Sequence, residues 1–194
     1  MIAIVIPTLD RARAEATGKL ALLNAGIEAR VIISDGEPRG FTKTANDGLR
    51  LTTPDEDVCI LNDDISRFQY AWLKMLHAGL YANPRFGIAG PSGKSGTAPA
   101  ASGRRGMIGL EPCRQLAFWC VLIRRQVLTE IGVLDERFIH YCSDNEYCAR
   151  AAKHDWRCVW VRGVYLEHRH HGSGLKMDWR NHDQAEFRRK RSGK

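Results

Sequence analysis

Nothing in the 194-residue chain approaches the roughly 20 consecutive apolar residues of a membrane-spanning helix. The opening run Met1 to Ile6 has no basic residues before it and is too short for a secretory leader, so it reads as a core strand and the protein as cytoplasmic. The six cysteines contain no Cys-x-x-Cys pair, which argues against a zinc ribbon or a redox dithiol. Several lie inside apolar runs, where cysteine behaves as a small hydrophobe, so reduced thiols are expected rather than a disulfide framework. A complete phosphate-binding Walker pattern is also missing: Gly93-Lys94-Ser95 has the ending, but Ile88 stands where the first glycine is needed. No glycine falls between Leu9 and Thr17, which disfavours a nucleotidyltransferase with a Gly-rich basic turn after its first strand. There is no internal repeat and no clear domain boundary.

What is present is an ordinary hydrophobic share, 44%, and a charge excess of +7 with a pI near 9.3. Such a balance suits a polyanionic partner, whether nucleic acid, acidic lipid or phosphorylated substrate. The competing reading is a solvated basic tail, because much of the excess sits in Phe187-Arg188-Arg189-Lys190-Arg191.

In the first third, apolar and helix-compatible segments alternate. Ile2 to Ile6, Ala29 to Ile33 and Val58 to Leu61 read as buried strands. Between them, Glu15 to Ala25 reads as a helix with Leu20, Leu22 and Leu23 inward, and Phe41 to Leu51 as a second helix. Strand-helix alternation of this kind specifies an α/β fold with a mostly parallel sheet. Each strand ends in polar residues: Thr8 and Asp10, Ser34 and Asp35, then Asn62-Asp63-Asp64. Open parallel sheets bind ligands at that edge. Further helices are expected over Gln69 to Tyr81, Arg124 to Ile131 and Asp144 to His154, and further strands over Phe86 to Pro91, Gln115 to Ile123 and Trp156 to Val161. The Gly- and Ser-rich stretch 92–109 reads as a long loop, a basic lid or a surface linker.

Three clusters carry candidate chemistry. Asn62-Asp63-Asp64 is either a solvated turn or a site for a hard divalent cation, which takes carboxylate and phosphate oxygens. Asp144, near a predicted helix start, is either an N-cap or a general base. His168, His170 and His171 are a second set of metal donors or a surface turn; zinc held with Cys142, Cys148 or Cys158 lacks recognised spacing.

The order of segments resembles the family-2 glycosyltransferases of GT-A fold. The likeness is carried by Ile4-Val5-Ile6-Pro7-Thr8, Ser34-Asp35-Gly36, Ala45-Asn46-Asp47-Gly48, Leu61-Asn62-Asp63-Asp64 with Trp72-Leu73 and Asn83-Pro84, and Leu134-Asp135-Glu136-Arg137-Phe138 with Ser143-Asp144-Asn145-Glu146. His168 matches a histidine that follows the last core strand. The chain departs from the family pattern where Asn62 replaces the first acid of Asp-x-Asp and Ser143 the acid before the base.

The resemblance implies a single-domain GT-A catalytic unit over residues 1–174, with 175–194 as a basic C-terminal helix or tail. It implies a nucleotide-diphospho-sugar donor, with a UDP-sugar as first choice, held by Pro7, Thr8, Asp35, Gly36, Lys43, Asn46, Asn62 and Asp63. Mn2+ or Mg2+ would be bound by Asp64 and His168. Asp144 would be the base of an inverting transfer, with Trp119 and Glu146 on the acceptor side. The acceptor is either a saccharide or lipid-linked glycan or, given the charge, a hydroxylated base in modified DNA. A non-catalytic nucleotide-sugar or nucleic-acid binding module is the alternative.

Overall fold

The computed structural model describes residues 1–35, 39–93, 105–169 and 177–192. Gly36, residues 94–104 of the Gly- and Ser-rich stretch, His170 and His171 lie outside them. Fourteen elements follow one another: β1 (Ile2–Thr8), α1 (Arg11–Leu23), β2 (Ala29–Asp35), α2 (Phe41–Leu49), β3 (Asp57–Leu61), β4 (Ile65–Phe68), α3 (Trp72–Tyr81), β5 (Phe86–Ser92), β6 (Leu110–Cys113), β7 (Cys120–Ile123), α4 (Arg125–Ile131), α5 (Ser143–Lys153), β8 (Arg157–His168) and α6 (Met177–Arg191).

The strands form one eight-stranded sheet in the order β2-β1-β3-β7-β5-β8-β4, with β6 paired to β8. β1, β2, β3, β5 and β8 point one way, so the sheet is mostly parallel, while β7, β4 and β6 run against them. The near-continuous apolar runs follow from burial on both faces. Ile2, Ile4, Ile6, Cys59 and Leu61 enter one core, with Trp72, Leu73 and Leu76 of α3. Ala3, Val5, Val58 and Ile60 alternate into the other, against Ala45, Val127 and Tyr147. Each fully buried Ile side chain contributes about 1.5–3 kcal/mol. Among the described residues no helix is long and apolar enough to cross a membrane.

The register sets the functional edge. Thr8 pairs with Asp35 and Pro7 with Ser34, so the polar ends of β1 and β2 lie side by side. β3 lies on the other flank of β1 and delivers Asn62 to Asp64 to the same edge.

Several expectations are corrected. Helix α1 turns Ala14, Thr17, Gly18 and Ala21 inward and leaves Leu20, Leu22 and Leu23 largely exposed. The small face wins because the helix lies close to the sheet: a Cβ on Gly18 would stand 3.1 Å from Val31. The strand expected over Gln115 to Ile123 is confined to Cys120–Ile123; the preceding residues form a buried connection in which Leu116 and Phe118 still fill the core. Strand β8 runs on to His168, well past Val161, because β4 pairs with Leu166, Glu167 and His168; neither β4 nor β6, which pairs with Cys158 to Val161, was foreseen. The basic C-terminal segment is a docked helix. Asp183 of α6 is fully buried, and its carboxylate accepts the backbone N–H groups of Ile139, His140 and Tyr141 at 2.7–2.8 Å.

Candidate active site

A cavity of about 310 Å3 opens at the C-terminal edge of β1 and β3. Its floor is Pro7 and Thr8 from β1 and Asn62 to Asp64 from the turn after β3; its walls include Arg13, Trp119, His140, Asp144 and Trp179. Thus seven predicted residues, Pro7, Thr8, Asn62, Asp63, Asp64, Trp119 and Asp144, share one space.

Asp63 is fixed from the β1–α1 side. The Thr8 hydroxyl bonds its carboxylate, Arg13 donates to it at 2.8 Å, and the Thr17 hydroxyl donates to its backbone carbonyl at 2.6 Å. Asp10 caps α1 by accepting the Arg13 N–H at 3.0 Å, which orients the turn from which Arg13 projects. Asp63 is thereby engaged with protein cation and hydroxyl groups.

Asp64 faces a different partner. Because β4 pairs with β8 antiparallel, Ile65 lies opposite His168. The His168 Nε2 is 2.7 Å from Asp64 Oδ1, and the Asn62 amide nitrogen is 3.3 Å from the same ring atom. The Trp119 indole stacks on the imidazole, with centroids 5.3 Å apart and planes 13° from parallel. Carboxylate oxygen and imidazole nitrogen are donor types that Mn2+ accepts. Their separation is close to the roughly 3 Å between neighbouring ligands of an octahedral ion with bonds of about 2.1 Å. Here the two groups touch each other directly; they are the side chains that would hold a divalent ion if one bound. No group of three or more His, Cys, Asp or Glu able to hold a metal converges among the described residues, here included, so the protein would offer two ligands at most from this pair.

Asp144 is not the N-cap of α5. Cys142, in a left-handed conformation with φ 61°, holds that place, and Asp144 sits in the first turn. Its carboxylate accepts the Asn145 N–H at 2.8 Å. Burial pushes its pKa above the ordinary carboxylate value and outweighs the backbone N–H groups that oppose the shift. A half-buried carboxyl with raised basicity in a cavity is suited to take a proton.

Other predicted residues are placed elsewhere. Asp35 stands beside Thr8 on the sheet edge but bonds Arg11 at 2.7 Å, outside the cavity lining. Asn46 is fully buried and its amide is occupied: it donates to Leu134 O at 2.9 Å and Glu136 at 3.0 Å and accepts the Leu134 N–H at 3.0 Å. It latches α2 to the segment before α5, and its side chain does not line the cavity that holds Thr8 and Asp64. Lys43 lines a second cavity of about 610 Å3. Glu146 is buried against Arg150 and Lys190, joining α5 to α6, and does not line the first cavity.

Arg13, His140, Trp179 and Asp183 were not anticipated. Arg13 was legible only as one arginine after a strand. Trp179 and Asp183 sit in a segment whose charge suggested solvent, and only the docking of α6 brings them inward.

No protein-family model and no curated protein matches the chain. Solved structures do. GalNAc-T7 with UDP, GalNAc and Mn2+ superposes with a TM-score of 0.69 at 10% identity, over 87% of this chain and 43% of that one. TarS 1-349 of S. aureus gives 0.58 at 12% identity, over 84% and 59%. The mannosyltransferase PcManGT from Pyrobaculum calidifontis, in complex with GDP-Man and Mn2+, gives 0.57 at 12%, over 93% and 60%. The fold is that of the GT-A glycosyltransferases. The chain spans about half the length of these three proteins.

Proposed function

We propose that the chain is a metal-dependent glycosyltransferase that moves a sugar from a nucleotide-diphospho-sugar to an acceptor hydroxyl with inversion. The observation that carries this reading is the presence of Asp63, Asp64 and Asp144 in one cavity at the C-terminal sheet edge of a GT-A fold. The solved structures of the same fold that hold UDP or GDP-Man together with Mn2+ support the donor class and the metal.

In this reading Thr8, Arg13 and Asp63 form the floor under the nucleotide diphosphate, with Arg13 the cation nearest the phosphates. Asp64 and His168 hold the divalent ion, which when bound neutralises the charge that develops on the departing diphosphate. Asp144 takes the proton of the attacking hydroxyl as the new glycosidic bond forms on the face opposite the leaving group, and that opposition inverts the anomeric centre.

The test is a thermal-shift screen of UDP, GDP, CDP and ADP with and without Mn2+. Binding to the folded state raises apparent stability by mass action, so a shift confined to one diphosphate plus metal identifies the donor. No shift with any of them removes the reading and favours a binding module of another kind.

A DNA acceptor bearing a hydroxylated base is the second reading beside a glycan, supported by the basic residues of the second cavity although Arg39, Arg137 and Arg189 there are already paired with Asp47, Asp135 and Glu186. Arg39, Lys43, Arg137 and Arg189 line it against Glu136 and Glu186, and it shares Trp179 with the first. Phosphates of a strand entering past Trp179 would meet that cationic surface, and affinity would fall with salt as counterions compete. Absence of duplex or single-strand binding at low salt returns the acceptor to the glycan class.

A further inference from the structure

Helix α6 carries more basic charge in its last turn than any other helix, yet its one fully buried residue is an acid. Asp183 accepts three consecutive backbone N–H groups, from Ile139, His140 and Tyr141. Burial of a carboxylate is costly, and here the N–H groups and the His182 side chain at 2.9 Å offset that cost. Three donors on one carboxylate immobilise a loop far more firmly than packing alone, and the loop leads through Cys142 directly into Ser143 and Asp144.

The residue in the middle of the clamped loop is His140, which lines the cavity with Asp144. Its Nδ1 accepts the Phe41 N–H at 3.3 Å, so a neutral ring carries its proton on Nε2. Burial disfavours the charged imidazolium, lowering its pKa despite nearby Asp183. The ring is boxed by Phe41, Tyr141 and Trp179, the last at 5.9 Å between centroids. A rigid neutral donor beside an aromatic face is how proteins bind a sugar or base ring: the face stacks and the N–H fixes orientation.

We propose that Asp183 is a positioning residue for the cavity, holding loop 139–141 so that His140 offers its Nε2–H to an oxygen of the substrate ring while Trp179 covers that ring. The inference rests on the glycosyl-transfer reading and adds a specificity contact to it. The C-terminal helix is then part of the substrate wall, not a solubilising tail.

The experiment compares wild type with Asp183→Asn and His140→Phe. Three quantities are read: amide exchange at residues 139–141, the Kd of UDP and GDP with Mn2+, and release of nucleoside diphosphate from UDP-glucose and GDP-mannose with water as acceptor. In Asp183→Asn, exchange at 139–141 accelerates, the Kd stays within twofold and kcat falls at least tenfold. His140→Phe keeps the loop protected and loses kcat to a similar extent. An opened loop with unchanged kcat overturns the proposal, as does a parallel loss of nucleotide affinity, which marks a merely structural role. If Asp183→Asn does not fold, His140→Phe decides: kcat within twofold of wild type sinks the inference while leaving glycosyl transfer standing. A wild type that neither binds a diphosphate nor turns over a donor removes the transfer reading and this inference with it.

Discussion

His168 Nε2 lies 2.7 Å from Asp64 Oδ1, although one residue closes β8 and the other follows β3. The contact exists because β4, the short strand that follows Asp64, pairs antiparallel with the last residues of β8. The sheet itself brings the carboxylate and the imidazole together, with Trp119 stacked on the imidazole. Asp64→Ala is expected to abolish Mn2+-dependent binding of the nucleoside diphosphate. His168→Ala should weaken it by about 10–100-fold, the usual cost of disturbing a metal shell. Calorimetry with and without EDTA checks both; binding by Asp64→Ala that EDTA leaves untouched contradicts the assignment.

Asp144→Asn separates binding from chemistry. The amide keeps the shape of the site but cannot take a proton, so turnover should fall by about 10^2–10^4-fold, the range of general-base catalysis. Diphosphate affinity should stay within twofold. The pH profile has a definite sign. The base works when ionised, so kcat rises with pH through the Asp144 pKa, and burial places that limb above the ordinary carboxylate range. Ionising a carboxyl that the fold prefers protonated also weakens the folded state at neutral pH. Asp144→Asn is therefore expected to melt at a higher temperature than wild type while losing activity, the trade-off of a working site. Unchanged turnover in this variant would dispose of the base.

Much of this site was legible because its residues sit at the ends of strands that announce themselves. Ile2 to Ile6 and Val58 to Leu61 are apolar enough to be buried on both faces, and Thr8 and Asn62 to Asp64 terminate them. Periodicity failed where close packing decided the face: α1 shows its leucines to solvent since only Ala14, Gly18 and Ala21 are small enough to lie on the sheet. Pairing failed where the partner is distant, as for β4 and β6 against β8. Asn46 and Glu146 stand in motifs that resemble functional ones, but their side chains are spent on Leu134, Glu136, Arg150 and Lys190. Burial of Asp183 left no trace in sequence, because a lone acid in a basic helix reads as a solvated ion pair.

Acid should destabilise the fold through Glu56. This carboxylate is fully buried, Arg30 grips it at 2.6 and 2.7 Å, and the Thr53 N–H donates at 2.8 Å. The Arg30 hydrogen bonds, the largest influence, pull its pKa from 4.5 to about 2 against the opposing effect of burial. A depressed acid contributes stability that is complete above the unfolded pKa and lost as pH falls through the folded one. Its loss therefore falls between pH 4.5 and about 2. With Arg30 partly open to solvent, the contribution is on the order of 2 kcal/mol. Glu56→Gln should lower stability at pH 7 and flatten its dependence below pH 4.5. Chemical denaturation at several pH values reads this directly, and parallel pH profiles for the two proteins would refute it.

Gly40 joins the helix that follows β2 to the clamped loop, and no other residue fits there. Its φ is +88°, and a Cβ would stand 2.2 Å from the Ile139 carbonyl oxygen and 2.9 Å from its carbon. Thr42 donates its backbone N–H to that same carbonyl at 3.2 Å, so the close approach is also a hydrogen-bonded one. Relief of the clash requires Ile139 to retreat, while Asp183 holds its N–H from the other side at 2.8 Å. Gly40→Ala thus sets strain at a positive φ, about 1 kcal/mol, against displacement of a clamped backbone, and a total cost of about 2–4 kcal/mol is expected. The displaced loop carries His140 into the cavity, so turnover should fall more than stability requires. Diphosphate binding at Thr8, Asp63 and Asp64, which reach the same cavity from β1 and the turn after β3, should persist. Melting temperature, diphosphate Kd and donor turnover measured on the same variant decide the matter. A Gly40→Ala protein with wild-type stability and turnover would show that the loop yields freely and that the contact between α2 and residues 139–141 does not shape the cavity.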